Sequence, residues 1–375
     1  MTIDLSVIGV VAAALLTAAL VSLITTPVVR SLAFKMGAVD VPKDGRRMHD
    51  HPIPRMGGLA IFFGFLLSVL LFIELTPQAR GMMLGGVIIV ILGILDDIYA
   101  LPAMPKFLVQ IIAALIAVML GNRIYFLSNP NIFSQELYWE LGWLSIPISV
   151  FWIVGITNAV NLIDGLDGLA CGVSTISSMT LLVIALTISE PTVAILMAAL
   201  AGACLGFLPY NLNPAKIFMG DTGSTFLGFI LATVSIQGLF KLYTIISFAV
   251  PFLLLGLPIF DTCFAILRRV AKGQSPMTPD RGHIHHRLID MGFSQKQTVA
   301  VLYVISAILG LSAVVLTTSG VIKAMLVLLA LCTAGALASK LFLDRNRVAE
   351  QQPKPRKTQI AGNDNFFGEE DRSEK

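Results

Sequence analysis

The chain has 375 residues, 56% of them hydrophobic and 13% charged, with a formal net charge of +3 and a mean hydropathy of +0.83. Soluble domains run near about 45–50% apolar and about 25% charged residues, so this composition excludes an ordinary soluble class and indicates a polytopic membrane protein. The four cysteines, Cys171, Cys204, Cys263 and Cys332, form no C-x-x-C pair, which argues against a disulfide framework and a cysteine-based zinc site.

Eleven apolar segments, each near the roughly 20 residues that a helix needs to cross a bilayer, are predicted near 5–29, 57–75, 81–98, 105–121, 145–160, 173–189, 192–209, 225–240, 244–267, 298–318 and 321–342. The fold class expected is an all-α membrane bundle. The fifth and eighth segments border polar motifs and are the ones most readily shortened or broken. The first follows Asp4 without a preceding Lys or Arg, so it reads as an uncleaved helix rather than a signal peptide.

Between the first two segments lies DVPKDGRRMHDHPIPRMGG, Asp40 to Gly58. Its prolines and glycines make it a shaped loop. Its basic residues and histidines suit either an anchor to anionic headgroups or a part of an active site. The third segment ends on Asp96 and Asp97 in LDDIYALPAMPK. A carboxylate at the bilayer centre costs about 3 kcal/mol, and two adjacent ones repel, so the pair must reach water, a cation or a metal. Pro105 suits a first helical turn, which puts Lys106 at a helix N-terminus, where the dipole attracts a phosphate.

The fifth segment runs into TNAVNLIDGLDGLACG. Asn158, Asn161 and Asp164 share one helical face at i, i+3, i+6, and Asp167 follows three residues later. The glycines between allow a broken helix, which is tolerated at membrane depth where it lines a cavity. Asn and Asp oxygens suit Mg2+ or Mn2+. The eighth segment opens from NLNPAKIFMGDTGSTFLG. Its Gly-rich turn can cradle a phosphate or simply cap the helix, and it lacks the G-K-[ST] of a Walker A loop. After the ninth comes RRVAKGQSPMTPDRGHIHHRL, holding His283, His285 and His286 among Arg281 and Arg287. That mixture suits anion binding, such as a diphosphate, better than zinc. Residues 1–345 read as one membrane domain and 346–375 as a disordered cytoplasmic tail.

With the N-terminus outside, all but Arg80, Arg123, Lys241 and Lys323 of the 26 lysines and arginines fall on inside segments. This positive-inside bias sets the N-terminus out and the C-terminus in, and it puts every polar motif on the cytoplasmic side. Carboxylates, a divalent cation and basic side chains together are the apparatus of phosphoryl transfer. A nucleotide reaches such a site from the cytoplasm and a lipid reaches it sideways. A transporter is the rival from another class, but its carboxylates would lie near mid-membrane in two related halves. No nucleic-acid partner is expected.

In combination LDD, NAVNLIDGLDGLA, NPAKIFMGDTGS and PDRGHIHHRL resemble the polyprenyl-phosphate N-acetylhexosamine-1-phosphate transferases. These are relatives of the phospho-MurNAc-pentapeptide translocase and of the eukaryotic dolichyl-phosphate GlcNAc-1-phosphate transferase. The resemblance covers roughly residues 1–345, and the HIHHR form is most similar to the bacterial GlcNAc-1-phosphate branch. It implies transfer of GlcNAc-1-phosphate from UDP-GlcNAc to undecaprenyl phosphate, with UMP released, at the bacterial cytoplasmic membrane. It also implies Mg2+ held by Asn161 and Asp221, and Asp96 and Asp97 near the lipid phosphate with Lys106 binding it. Asp164, Asp167 and Asn158 would complete the polar centre and bind the nucleotide, and His283, His285 and His286 with Arg281 and Arg287 would contact the diphosphate and sugar. UDP-MurNAc-pentapeptide is the alternative donor, and the family's membrane-helix contacts admit a homodimer. The family often has Asp or Asn four residues after the first Asp of the pair; here that position is Ala100.

Overall fold

Helices built on the apolar segments make up most of the protein. The computed structural model describes residues 5–41, 51–128, 138–238, 246–275, 282–319, 322–323, 325–330 and 333. In chain order the helices are α1 (Leu5–Lys35), α2 (Gly58–Phe72), α3 (Pro77–Tyr99), α4 (Ala103–Met119), α5 (Ser145–Leu162), α6 (Leu169–Thr187), α7 (Pro191–Asn211), α8 (Gly220–Gly238), α9 (Ile246–Leu254), α10 (Gly256–Ala271), α11 (Ile284–Asp290) and α12 (Gln295–Ser319). Among the described residues, six stretches are long and apolar enough to cross a membrane: Leu5–Lys35, Pro77–Tyr99, Gly142–Leu162, Leu169–Thr187, Pro191–Asn211 and Gln295–Ser319. The apolar α2 and α4 are shorter. By contact the chain divides into two units, Met1–Leu328 and Leu329–Lys375. The candidate site lies wholly in the first, and the expected tail falls outside the described residues.

The expected segments one to eight and ten each hold one helix. The ninth, expected as a single span over 244–267, is instead two helices meeting at Leu255. Pro258, in the first turn of α10, has no N–H to offer the Leu254 carbonyl across this point, and Leu255 leaves helical geometry at φ −103° and ψ 20°. Most of the eleventh lies outside the described residues. The all-α expectation also needs a correction, because two short antiparallel strand pairs are present among the described residues. β1 (Val39–Asp40) pairs with β2 (Ile53–Pro54), and β3 (Phe126–Ser128) pairs with β4 (Tyr138–Glu140).

The core is organised around α8. Every residue of this helix except Asp221 is buried, with α3, α5, α2, α6 and α7 packed around it. A helix surrounded by protein need not be apolar, which explains why α8 is not among the stretches suited to face lipid. Several of its hydroxyls bond back to their own helix: Ser224 to the Gly220 carbonyl at 3.0 Å and Thr233 to that of Phe229 at 2.9 Å. Small residues set the close approaches. On α7, a Cβ at Gly202 or Gly206 would lie 2.1 Å from the Leu15 or Ala19 carbonyl oxygen of α1, the backbone contact that a G-x-x-x-G spacing permits.

Candidate active site

The N-terminus of α8 is held by a side chain from another helix. α3 starts cleanly, with Thr76 Oγ1 accepting the Ala79 N–H at 3.2 Å and Pro77 in the first turn. It ends at Ala100, whose φ of +51° turns the chain out of the helix. About two turns before that end, Gly93 lies so close to α8 that a Cβ there would be 2.4 Å from Thr222 Cα. Asp97 therefore reaches the α8 N-terminus. Its carboxylate accepts the backbone N–H groups of Asp221 at 3.0 Å and Thr222 at 3.1 Å, and the Thr222 hydroxyl at 2.6 Å. These N–H groups have no partner within their own helix, so Asp97 acts as a cap supplied by α3.

Asp96 faces another way. Its Oδ1 accepts the Leu101 N–H at 2.7 Å, and its Oδ2 lies 2.8 Å from Lys106 Nζ. Lys106, in the first turn of α4, also meets Asp221 Oδ2 at 3.2 Å. One ammonium is thus shared by two carboxylates, and a unit of negative charge remains between them.

Asp221 opens on a cavity of about 230 Å³ that is also lined by Asp40, Arg55, Asn161, Asp164, Asp167, His286 and Gln295. Two interrupted segments deliver these groups. Asn158 and Asn161 sit in the last turns of α5, but the helix stops at Leu162, so Asp164 and Asp167 come from the turn before α6. Gly168 makes that turn at φ +78°, and its carbonyl accepts the Tyr303 hydroxyl at 2.6 Å. Asp167 Oδ2 accepts from Asn213 Nδ2 at 2.9 Å and from the Ala215 N–H at 3.0 Å, which ties down the segment leading to α8. Asn161 donates to Ser224 Oγ at 2.8 Å. Burial first, and the charge of Asp221 second, push the Asp164 carboxyl up to about 7.

The β1–β2 pair brings in Asp40 and Arg55. The chain after β2 is laced to the segment before α8: the Gly57 and Gly58 N–H groups donate to the Phe218 and Met219 carbonyls, both at 2.9 Å. Arg55 Nε lies 4.0 Å from Asp97 Oδ1, and buried Met56 takes a left-handed φ of +75° beside it, the kind of backbone strain that collects at functional sites.

The histidines divide by role. Among the described histidines, only His286 lines the cavity. His283 Nδ1 is 2.8 Å from the buried Asp261 Oδ2. His285 is buried between the other two rings and Gly165, where a Cβ would lie 2.4 Å from its Nε2. Burial first, then the neighbouring His286, lower His285 to about 4. Arg287 lies over the Phe264 ring at 4.9 Å. Asn158 donates to Gln110 Oε1 at 2.7 Å, a contact between α5 and α4 outside the cavity lining. Arg281 lies outside the described residues. Among the described residues, no three His, Cys, Asp or Glu side chains converge on a metal position.

Comparison with known proteins bears on what this arrangement does. Residues 79–239 match the model of glycosyl transferase family 4. The chain is 47% identical over 307 residues to a probable undecaprenyl-phosphate N-acetylglucosaminyl 1-phosphate transferase of Bacillus subtilis, covering 82% of this chain and 85% of that one. The chain belongs to glycosyl transferase family 4. Other relatives in the family include a decaprenyl-phosphate N-acetylglucosaminephosphotransferase of Mycolicibacterium smegmatis, 35% identical over 325 residues, 77% of each chain. A phospho-N-acetylmuramoyl-pentapeptide-transferase of Staphylococcus aureus is 35% identical over 279 residues, 69% of this chain and 83% of that one. The family match spans α3 to α8, the stretch that carries Asp96, Lys106, Asn161, Asp164 and Asp221.

Two groups in this family member escaped the motif reading. Arg55 enters the motif reading only as one of the four basic residues of the Asp40–Gly58 loop, with no role of its own. Asp261 was passed over inside the ninth span, although a lone carboxylate within an apolar helix is itself a signal.

Proposed function

We propose that this chain transfers GlcNAc-1-phosphate from UDP-GlcNAc to undecaprenyl phosphate, releasing UMP and forming the first lipid-linked sugar of a cell-surface polysaccharide. The observation that carries this reading is the 47% identity across 82% of the chain to the Bacillus subtilis relative, in a fold that gathers Asn161, Asp164, Asp167 and Asp221 around one cavity. The lower identity and coverage of the pentapeptide transferase favour the GlcNAc donor.

The cavity's donor set fits Mg2+. Asn161 and Asp221 offer hard oxygens, with Asp164 beside them and a net negative charge that calls for a cation. An ion that keeps waters and takes one or two carboxylates plus substrate phosphates needs no cage of three protein ligands. In this reading Asn161 and Asp221 hold the ion, which would neutralise the diphosphate when bound. Arg55 and His286 donate to the diphosphate oxygens. The acceptor, a phosphate monoester with a second pKa near about 6, is mostly dianionic at neutral pH. Its oxygen attacks the β-phosphorus, the bond to the α-phosphate oxygen breaks, and UMP leaves. Lys106 steers the acceptor phosphate and keeps the Asp96 carboxylate turned away from it. Both members of the Asp96–Asp97 pair are committed to protein partners, which favours direct attack over a covalent aspartyl intermediate.

Alternation of the helices puts the site at the end bearing Lys35, Arg55, Lys106, Lys216, Arg268 and Lys272. The positive-inside rule then supports a cytoplasmic site in the bacterial inner membrane, the N-terminus outside, and a full set of eleven spans. Pairing of two copies through membrane helices belongs to the same reading. The test is UMP release by the detergent-solubilised protein with undecaprenyl phosphate, Mg2+ and, in parallel, UDP-GlcNAc, UDP-GalNAc and UDP-MurNAc-pentapeptide. UMP from UDP-GlcNAc alone supports the reading, release from the pentapeptide donor alone replaces the donor, and release from none of them defeats it.

A further inference from the structure

Asp261 lies within α10 in the apolar run PIFDTCF, with 2% of its surface exposed. A carboxylate buried in such a place is retained only with partners for both oxygens. Here Oδ2 meets His283 Nδ1 at 2.8 Å and Oδ1 accepts the Ile284 N–H at 2.8 Å. An ionised carboxylate only accepts, so the proton of that contact sits on His283 Nδ1. α10 grips the same loop a second time, through Arg268 Nη1 donating to the Gly282 carbonyl at 2.7 Å.

The contact continues inward. The His283 ring stacks on His285, with centroids 5.7 Å apart and planes 10° apart. His285 lies 4.3 Å from His286, which lines the cavity. His285 also abuts Gly165, in the turn that carries Asp164 and Asp167. A single buried carboxylate outside the cavity lining therefore stands behind a row of three rings, and the last of them reaches the cavity.

We propose that Asp261 is a positioning residue for the transferase: it fixes the tautomer and rotamer of His283 and, through the row of packed rings, sets where His286 meets the donor's diphosphate. The inference rests on the proposed transferase function and adds to it a group that touches neither substrate nor reacting atoms. Asp261→Asn discriminates this from a purely structural role. Asparagine keeps the shape, and its oxygen can still accept the Ile284 N–H. Its amide, however, donates to His283 Nδ1 and drives the ring proton to Nε2, the tautomer error that also silences a triad histidine.

The experiment measures kcat, KM for UDP-GlcNAc, KM for undecaprenyl phosphate and thermal unfolding on the full-length protein in detergent. For Asp261→Asn the account expects kcat/KM for UDP-GlcNAc to fall by about 10²-fold, the order of loss for a misplaced contact. KM for undecaprenyl phosphate and the unfolding midpoint stay near wild type. His283→Gln shows the same loss, and the double variant is no worse than either single, as expected for residues acting as one unit. Wild-type kinetics for Asp261→Asn, or losses that multiply in the double variant, overturn the inference. If Asp261→Asn does not fold, His283→Gln decides: a selective loss on the donor side supports the inference and wild-type kinetics overturns it. Wild-type protein that releases no UMP sinks the transferase reading and this inference together, whereas active wild type with an unaltered Asp261→Asn sinks the inference alone.

Discussion

Two neighbouring carboxylates, Asp96 and Asp97, do different work because successive residues on a helix point about 100° apart. Asp97 caps α8, whereas Asp96 holds Lys106 against Asp221. Asp97→Ala leaves two buried N–H groups without an acceptor, at a cost of about 1–3 kcal/mol for each. The account expects it to lower the unfolding midpoint in detergent and to lose activity with it. Asp221→Ala removes a cavity carboxylate instead, and is expected to cut turnover by more than about 10²-fold while the unfolding midpoint stays near wild type. Equal destabilisation by both would refute the division. The pH dependence of stability separates two further groups in metal-free protein. His285 is lowered from 6.5 to about 4, so between those values the unfolded chain holds a proton that the native one lacks, and stability falls as pH falls. Asp164 is raised from 3.8 to about 7, so the native state holds the extra proton there, and stability falls as pH rises. The two slopes oppose each other between about pH 4 and 6.5. His285→Gln should therefore turn the stability slope in that window more negative, and Asp164→Asn should turn it more positive. Unchanged slopes in both would contradict the burial assigned to them.

At the scale of elements, hydropathy alone located the helices, because each apolar run of the right length can satisfy its backbone only within itself. It failed where tertiary context decides. Leu255 interrupts the ninth span, and α8 is polar enough to look weak yet is the most deeply buried helix. The spacing of Asn158, Asn161 and Asp164 predicts one shared helical face, but α5 ends at Leu162 before Asp164, and Asn158 turns to Gln110 of α4 while Asn161 lines the cavity. Lys106 was legible as a cation at a helix start, whereas its carboxylate partners come from α3 and α8 and share no sequence pattern with it. Asp261 was readable in principle, as a charge inside an apolar segment. Its partner His283 lies 22 residues on, a separation that no helical periodicity links. The close α1–α7 contact gives a direct check at this scale. Gly206→Leu must force the backbones apart and is expected to destabilise by at least about 1–3 kcal/mol, measured as a drop in the unfolding midpoint. The same change at Gly9, where nothing lies within 4 Å, should have little effect.

Across the whole molecule, the cavity and the end opposite it differ in chemistry. The site end gathers the acids, amides and bases. The opposite end carries the β3–β4 pair and the exposed aromatics Tyr125, Trp139 and Trp143, residues that favour a membrane–water interface. In the proposed topology, which the positive-inside bias supports, Trp143 lies outside the cell and Lys216 inside. In a cysteine-free background, an impermeant maleimide is expected to label Trp143→Cys on intact cells and Lys216→Cys only after permeabilisation. The reverse pattern would invert the topology and remove the nucleotide from the site's side of the membrane. The most direct test of the central claim follows the phosphorus itself. UDP-GlcNAc labelled at the β-phosphate is incubated with the protein, undecaprenyl phosphate and Mg2+, and the organic phase is extracted. The account predicts label in the lipid phase in step with UMP released, and none with Asp221→Ala. Label that stays in the aqueous phase while UMP appears, or UMP release that does not need the lipid, would contradict transfer to a polyprenyl phosphate.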